Sequence, residues 1–175
     1  MTTDEERFTA LYERHYTDVE RYVVRRASDV AARDVVADVF VVIWRRIGDV
    51  PEPALPWIYG VARRVLANEL RGVQRRRQLE QKVAGHAGDD TAADHADDVT
   101  SAAVLAAAFE RLPETDRETL RLIAWEELST RDAATAAGCS LATFAMRLHR
   151  ARRRLRREMT PHTAPTALLA QPGLN

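Results

Sequence analysis

Residues 129–157, STRDAATAAGCSLATFAMRLHRARRRLRR, decide the fold. They read as two helices joined by a three-residue turn, Gly138-Cys139-Ser140. Ser129 caps the first helix, with Asp132 three residues on in the capping-box position. Gly138 suits the left-handed residue that ends a helix, and Ser140 caps the next one. In the second helix Leu141, Phe144, Leu148, Ala151 and Leu155 recur at helical spacing and predict one buried face. Ala142, Met146, His149, Arg150, Arg153 and Arg157 fall roughly opposite, with Thr143 beside them. A short helix, a tight turn and a long basic helix form the pattern of a helix-turn-helix, whose second helix enters a DNA major groove.

Charge is balanced in total and segregated along the chain. Lys+Arg and Asp+Glu each number 26, so the net charge is zero. Arg63, Arg64, Arg71, Arg75, Arg76 and Arg77 form one basic cluster, and the arginines of 147–157 form a second. Acidic residues gather in the N-terminal half and between the clusters, at Asp89, Asp90, Asp94, Asp97 and Asp98. Two separated basic clusters predict two contacts with a polyanion. The single cysteine, Cys139, excludes an intramolecular disulfide and a cysteine metal site, and it reads as a small packing residue in the turn. His15, His86 and His95 have no ligand-like spacing to other donors. No nucleophile, base and oxyanion set is recognisable, so the chain reads as a non-enzyme that needs no cofactor or metal. MTTDEERF lacks the basic start and apolar run of a signal peptide. The longest apolar run, Val35 to Trp44, contains Asp38 and is too short to cross a bilayer. A cytoplasmic protein without membrane insertion is expected.

The rest of the chain reads as helix. Phe8, Leu11, Tyr12, Val19, Tyr22 and Val23 mark a first amphipathic helix. Ala32, Val35, Val36, Val39, Phe40, Ile43, Trp44 and Ile47 mark a second. After Gly48 and DVPEPALP, a third begins near Trp57 and turns Trp57, Val61, Ala62, Val65, Leu66 and Leu70 inward. Leu79 to Thr100 is Gly-, Ala- and Asp-rich without a sustained apolar stripe, which predicts a flexible acidic linker. Helix resumes at Val104, Leu105, Ala108, Phe109 and Leu112 and breaks at Pro113. Thr115 with Glu118 then offers a capping box for a helix carrying Leu120, Ile123 and Ala124. The expected fold is all-α: a helical bundle over residues 5–78, a linker over 79–100, a helix-turn-helix domain over 101–160 and a disordered tail over 161–175.

This layout resembles an extracytoplasmic-function sigma factor, the smallest type of promoter-specificity subunit of bacterial RNA polymerase. RDVVADVFVVIWRR (33–46) is similar to the polymerase-binding helix of that family. PWIYGVARRVLANELR (56–71) is similar to its −10-binding helix. FERLPETDRETLRLIAWEELSTRDAATAAGCSLATFAMRLHRARRRL (109–155) is similar to its region 4. The resemblance implies that the first domain, region 2, binds the polymerase clamp and opens the −10 element. It implies that the second, region 4, binds the −35 element and the polymerase flap. An anti-sigma protein is a common further partner in the family.

Carried onto this chain, the resemblance implies a −10 set of Tyr59, Arg63, Arg64, Asn68, Arg71, Arg75, Arg76 and Arg77. Tyr59 is the base-stacking candidate because it falls off the apolar stripe, whereas Trp44 and Trp57 fall on it and read as core. It implies a −35 set of Ala142, Thr143, Met146, Arg147, His149, Arg150, Arg153, Arg154 and Arg157. It implies a polymerase-facing set of Asp34, Val35, Ala37, Asp38 and Val41. The chain departs from the family pattern in three places. Ala37 stands where a glutamine is common, Arg64 where many members have asparagine (with Asn68 one turn on), and Ala145 and Met146 where polar or basic residues are common. Any −35 readout then relies more on Thr143, His149 and Arg150, or on thymine-methyl contacts from Ala142 and Met146. In the family the linker threads the polymerase cleft and RNA exit path, a role that Asp89 to Asp98 suit; a solubilising spacer is the other reading. The competing function is a stand-alone helix-turn-helix regulator acting on a palindrome as a dimer. It leaves the N-terminal bundle unexplained, and no dimerisation heptad is evident. A helical interaction or sensor protein with incidental basic faces is a further reading. It predicts no sequence-selective DNA binding.

Overall fold

The computed structural model describes residues 3–27, 32–84 and 101–160, and every long regular element among them is an α-helix. In chain order these are α1 (Asp4–Val24), α2 (Ala32–Arg45), α3 (Leu55–Ala84), α4 (Ser101–Glu110), α5 (Glu114–Ala124), α6 (Thr130–Ala137) and α7 (Leu141–Met159), with a 3-10 turn at Ile47–Asp49 between α2 and α3. The expected linker residues 85–100 and the tail 161–175 lie outside the described residues. The first six residues read as linker, 79–84, are instead the last turns of α3. Leu, Glu, Gln, Lys and Ala there are good helix formers, and no glycine interrupts them before Gly85.

The N-terminal half packs α1, α2 and α3 around Val19, Tyr22 and Val23 from the first helix, Val35, Val39, Phe40 and Ile43 from the second, and Ile58, Val61 and Ala62 from the third. Thr3 closes a full capping box at the start of α1: its hydroxyl accepts from the Glu6 amide while the Glu6 carboxylate accepts from its own. In the C-terminal half, Leu122, Ala133, Phe144, Leu148 and Ala151 are buried. Burying one such large apolar side chain is worth about 1.5–3 kcal/mol.

The two halves do not keep separate cores. Leu122, Ala133, Ala134, Ala136, Phe144 and Leu148 of the C-terminal half join one continuous apolar cluster with α1, α2 and α3. The line of contact runs chiefly along α3 and α6, and it is tight at one point. A Cβ on Gly60 would lie 3.4 Å from the carbonyl oxygen of Ala136 and 3.7 Å from that of Thr135. Several sequence expectations are reversed. Tyr59, read as off the apolar stripe, is 3% exposed and stacks on Tyr22 with ring centroids 4.9 Å apart. Trp44, read as core, is 43% exposed and makes a T-shaped contact with Phe8. Leu70 is also exposed, because α3 runs past the end of the bundle.

The α5 start differs too. Pro113 is the N-cap and makes no side-chain cap bond. Thr115 and Glu118 form no capping box: the Thr115 carbonyl accepts from the Thr119 hydroxyl, and Glu118 reaches across to α1.

Candidate nucleic-acid interface

The helix-turn-helix is assembled by its caps. The Ser129 hydroxyl accepts from the Asp132 amide at 3.1 Å and donates to the Asp132 carboxylate at 2.7 Å. Gly138 ends α6 at φ +66°, the left-handed region that glycine enters without strain. The Ser140 hydroxyl accepts from the Thr143 amide at 3.1 Å and opens α7. Phe144, Leu148 and Ala151 are buried and fix the roll of α7 about its axis. Leu141, expected in that stripe, is 48% exposed because it sits in the first turn, beyond the edge of the core.

With that roll fixed, Ala142, Thr143, Met146, His149, Arg150, Arg153 and Arg157 are all exposed, Met146 at 64%. Arg147 and Arg154 depart from the set. Arg147 is half-buried and lines a cavity of about 760 Å³ between the two halves of the protein. Arg154 holds the Asp116 carboxylate at 2.5 Å, and that carboxylate is only 7% exposed. An arginine tied to a buried acid is a structural strut before it is a phosphate contact.

The basic face of α3 is divided along its length. Arg64, Asn68, Arg71, Arg75, Arg76 and Arg77 are exposed, and Arg71 donates to the Asn68 amide oxygen. Asn68, Arg71, Gln74, Arg75 and Gln78 line an open groove on that outer stretch. Burial, and then the like charges of Arg63 and Arg46, lower the proton affinity of Arg64, so an arriving anion relieves repulsion there. The inner stretch faces the other half of the molecule. Tyr59 is buried, and Arg63 is half-buried with a terminal nitrogen 3.3 Å from where a Cβ on Gly138 would stand.

On α2, Asp34, Ala37, Asp38 and Val41 share an exposed face, but Val35 does not: it is 1% exposed and points into the bundle core. Beside this face, Phe8, Tyr12, Phe40 and Trp44 border an apolar groove that also includes Ala37 and Val41. Tyr12, Val41 and Trp44 are each more than 40% exposed there.

Sequence reasoning missed a charged cluster that joins the two halves. Arg26, just after α1, donates to Glu118 at 2.7 Å and to Glu126 at 2.8 Å. Tyr22 donates its hydroxyl to Glu118 at 2.9 Å, and Arg25 reaches Glu126 at 3.2 Å. Burial, followed by the Glu118 charge, pushes the Tyr22 phenol well above its ordinary value, so it stays a donor. The available signals were two adjacent arginines ending α1 and a glycine in mid-helix at IYGVAR. Neither names its partner, because the partners lie about a hundred residues away.

Among the described residues no cluster of histidine, cysteine or acidic side chains has the arrangement to hold a metal ion. No described helix is long and apolar enough to cross a membrane.

Comparison with known proteins places both halves. Residues 11–77 match the family profile described as Sigma-70 region 2, and residues 102–155 match that of Sigma-70, region 4. The chain is 29% identical over 151 residues to the ECF RNA polymerase sigma factor SigL of Mycobacterium tuberculosis, covering 84% of this chain and 85% of the relative. It is 27% identical over 158 residues to the ECF RNA polymerase sigma factor SigM of Bacillus subtilis, covering 89% and 94%. In fold it is similar to the sigma factor RpoE of Bartonella quintana, solved with the anti-sigma factor NepR. The TM-score is 0.58 at 22% identity, over 89% of this chain and 98% of that one. It is also similar to CnrH, solved with the cytosolic domain of CnrY, with a TM-score of 0.57 at 22% identity over 86% and 85%.

Proposed function

The chain is an RNA polymerase sigma factor of the extracytoplasmic-function type, within the sigma-70 family, and from that premise we propose how its residues divide the work. It binds core polymerase and directs promoter recognition and opening. Region 4, residues 101–160, lays α7 in the major groove of the −35 element. Thr143, Met146, His149 and Arg150 lie nearest the base edges, where Arg150 suits guanine and Met146, with Ala142, suits a thymine methyl. Arg147, Arg153 and Arg157 neutralise phosphates, which supply affinity without sequence choice. Arg154 takes part only to the extent that Asp116 releases it.

Region 2, residues 5–78, docks on the polymerase clamp through Asp34, Ala37, Asp38 and Val41 of α2. Along α3, Arg64, Asn68, Arg71 and Arg75 to Arg77 follow the −10 strand as the duplex opens. Unpaired bases exchange duplex stacking for contacts on this helix. Tyr59 and Arg63 join them once their side chains are uncovered. The acidic linker sets the reach between the halves, and region 4 also meets the polymerase flap. An anti-sigma protein is the remaining partner class, in keeping with the anti-sigma factor with which RpoE was solved. The site of action is the cytoplasm, and the chemistry of RNA synthesis belongs to the polymerase.

The observation that carries this reading is the fixed roll of α7, which buries Phe144, Leu148 and Ala151 and leaves its basic face open beside a second basic helix in the same chain. A stand-alone regulator is not favoured, because region 2 accounts for the N-terminal half that such a regulator leaves unexplained. Multi-round transcription with purified core polymerase on a promoter library, with and without this chain, is the test. A −10/−35 consensus that depends on the chain supports the assignment. Selective binding of the isolated chain to a palindrome, with no effect on transcription, refutes it.

A further inference from the structure

Four buried arginine nitrogens have no hydrogen-bond acceptor within the protein: Arg26 Nη2, Arg63 Nε, Arg117 Nε and Arg121 Nε. A buried polar atom in that condition is uncommon and destabilising. All four arginines line the cavity of about 760 Å³ between the two halves, together with Arg25 and Arg147. We propose that this cavity is a binding site for a small phosphorylated molecule with an apolar body, the chemistry of a nucleoside diphosphate.

The charge of the lining selects an anion. Six arginines stand against three acids, Glu110, Glu114 and Glu118. The side chains of Glu110 and Glu114 are 67% and 62% exposed, whereas those of their partners Arg117 and Arg121 are 23% and 10% exposed. The carboxylates lie toward water and the guanidiniums deeper. Glu118 is more buried, and Arg26 and Tyr22 already occupy it. Glu126, outside the lining, is shared by Arg25 and Arg26. Arg63 and Arg147 are both half-buried and form no ion pair with any described carboxylate. A phosphate group carries about −1.5 to −2 charge at pH 7 and offers three acceptor oxygens. The planar guanidinium fork matches such a group with two parallel bonds. Two linked phosphates supply acceptors for several of the orphaned nitrogens at once.

The donors are held in place by the protein itself. Arg26 gives Nε to Glu118 and Nη1 to Glu126 and the Tyr22 carbonyl, and its guanidinium lies over the Tyr22 ring. Only Nη2 is left over, on a side chain that is 4% exposed. Terminal nitrogens tie Arg117 and Arg121 to Glu110 and Glu114 in the same way. Donors fixed beforehand need little further ordering on binding. The lining also includes Leu66, Ala67 and Leu70 of α3, apolar surface that a bare inorganic anion leaves in water. The volume falls within the range of about 300–1,000 Å³ typical of small-molecule sites. Arg63 and Arg147 also stand in the two promoter-facing sets, so a bound diphosphate and DNA draw on the same guanidiniums.

Isothermal titration calorimetry on the full chain, at physiological salt and without DNA or polymerase, is the test. The probes are adenosine diphosphate, guanosine diphosphate, pyrophosphate and adenosine. At least one nucleoside diphosphate is expected to bind in the micromolar range, with pyrophosphate about tenfold weaker for want of a body and adenosine not bound. Arg63→Gln and Arg147→Gln are each expected to weaken the diphosphate about tenfold, the loss of one charge-assisted contact, at unchanged helicity by circular dichroism. Neither side chain has an ion pair to lose. Arg152→Gln, an exposed change on α7 outside the cavity, is expected to leave binding as it is. No diphosphate binding below about 1 mM would overturn the site. An equal loss in Arg152→Gln and Arg63→Gln would overturn it too, by reducing the binding to diffuse attraction toward basic helices. Pyrophosphate binding as tightly as the nucleoside diphosphates would overturn the ligand class. Each of these failures leaves the sigma-factor assignment standing, because promoter-library transcription tests that separately.

Discussion

Arg26 and Glu126 meet at 2.8 Å across the boundary between the two halves, with 4% and 3% of their side chains exposed. The pair is local to neither half, yet it is among the least hydrated charge pairs of the described residues. The same guanidinium also carries Glu118 and lies over the Tyr22 ring at 3.6 Å. One side chain therefore couples the end of α1 to the middle of α5 and to the turn that follows it.

Removing it should uncouple the halves. Arg26→Ala strands two acids, a defect that costs about 3–5 kcal/mol where the site stays buried. Here that figure is an upper bound, because parting returns both carboxylates to water. Urea unfolding followed by circular dichroism should show one transition for the parent chain and two for Arg26→Ala. A single unshifted transition in the variant would show that the seam contributes nothing to stability.

His15 gives stability a pH dependence. Burial of its ring, only partly offset by Asp18, lowers its pKa below 6.5. The unfolded chain then takes up the proton first. The contribution is fully present above pH 6.5 and is lost as pH falls from there through the folded-state value. The urea midpoint should fall between pH 7 and about pH 5, and His15→Gln should flatten that slope. An equal slope in the variant would assign the effect to another group.

Arg154 separates structure from DNA contact. It holds the buried carboxylate of Asp116 across α5 and α7. Arg154→Ala should destabilise region 4 by about 1–3 kcal/mol, the cost of an acceptor left unsatisfied. Asp116→Asn, Arg154→Ala together should recover part of it. If thermal unfolding is unmoved while the salt dependence of DNA binding flattens by about one unit, Arg154 is a phosphate contact as its position in the basic run suggests.

The caps at Ser129, Gly138 and Ser140 and the Phe144 stripe were legible because each is a local rule written within a few residues. The bundle was legible because apolar spacing in α1, α2 and α3 is regular. What the sequence withheld was non-local. Tyr59 falls off the apolar stripe on a helical wheel, and it is buried because it stacks on Tyr22 of α1. Glu118 has capping-box spacing from Thr115, but Arg26 and Tyr22 offer it stronger partners. Val35 shares a sequence segment with Asp34 and Asp38 and still faces inward, since helical neighbours one apart point about 100° away from each other. Within the segments read as sites, Val35 and Tyr59 are buried and most of the other named residues are exposed.

Asp38 tests the polymerase contact. It is exposed on α2 beside Ala37 and Val41, away from the Val35, Val39 and Ile43 core. Asp38→Arg should change stability by no more than about 0.5 kcal/mol and should weaken capture of core polymerase. Co-purification with core enzyme at matched folding is the measurement. Unchanged capture would remove Asp38 from the interface and leave the aromatic groove around Trp44 as the next surface to alter.

Arg150 and Arg157 separate reading from anchoring on α7. Both are exposed, one turn past Met146 and near the C-terminal end respectively. The N-terminal part of a recognition helix lies closest to base edges, and its far end runs out along the backbone. Arg150→Ala should therefore cost about 1–3 kcal/mol and relax preference at one −35 position. Arg157→Ala should weaken all promoters alike and lower the slope of log affinity against log salt by about one. His149, with one donor and one acceptor when neutral, is the weaker reader. Promoter-library selection with both variants across a salt series distinguishes them. If Arg150→Ala lowers activity uniformly and no −35 position loses its preference, Arg150 is an anchor. The base reader must then be Thr143, Met146 or His149, all nearer the Ser140 cap.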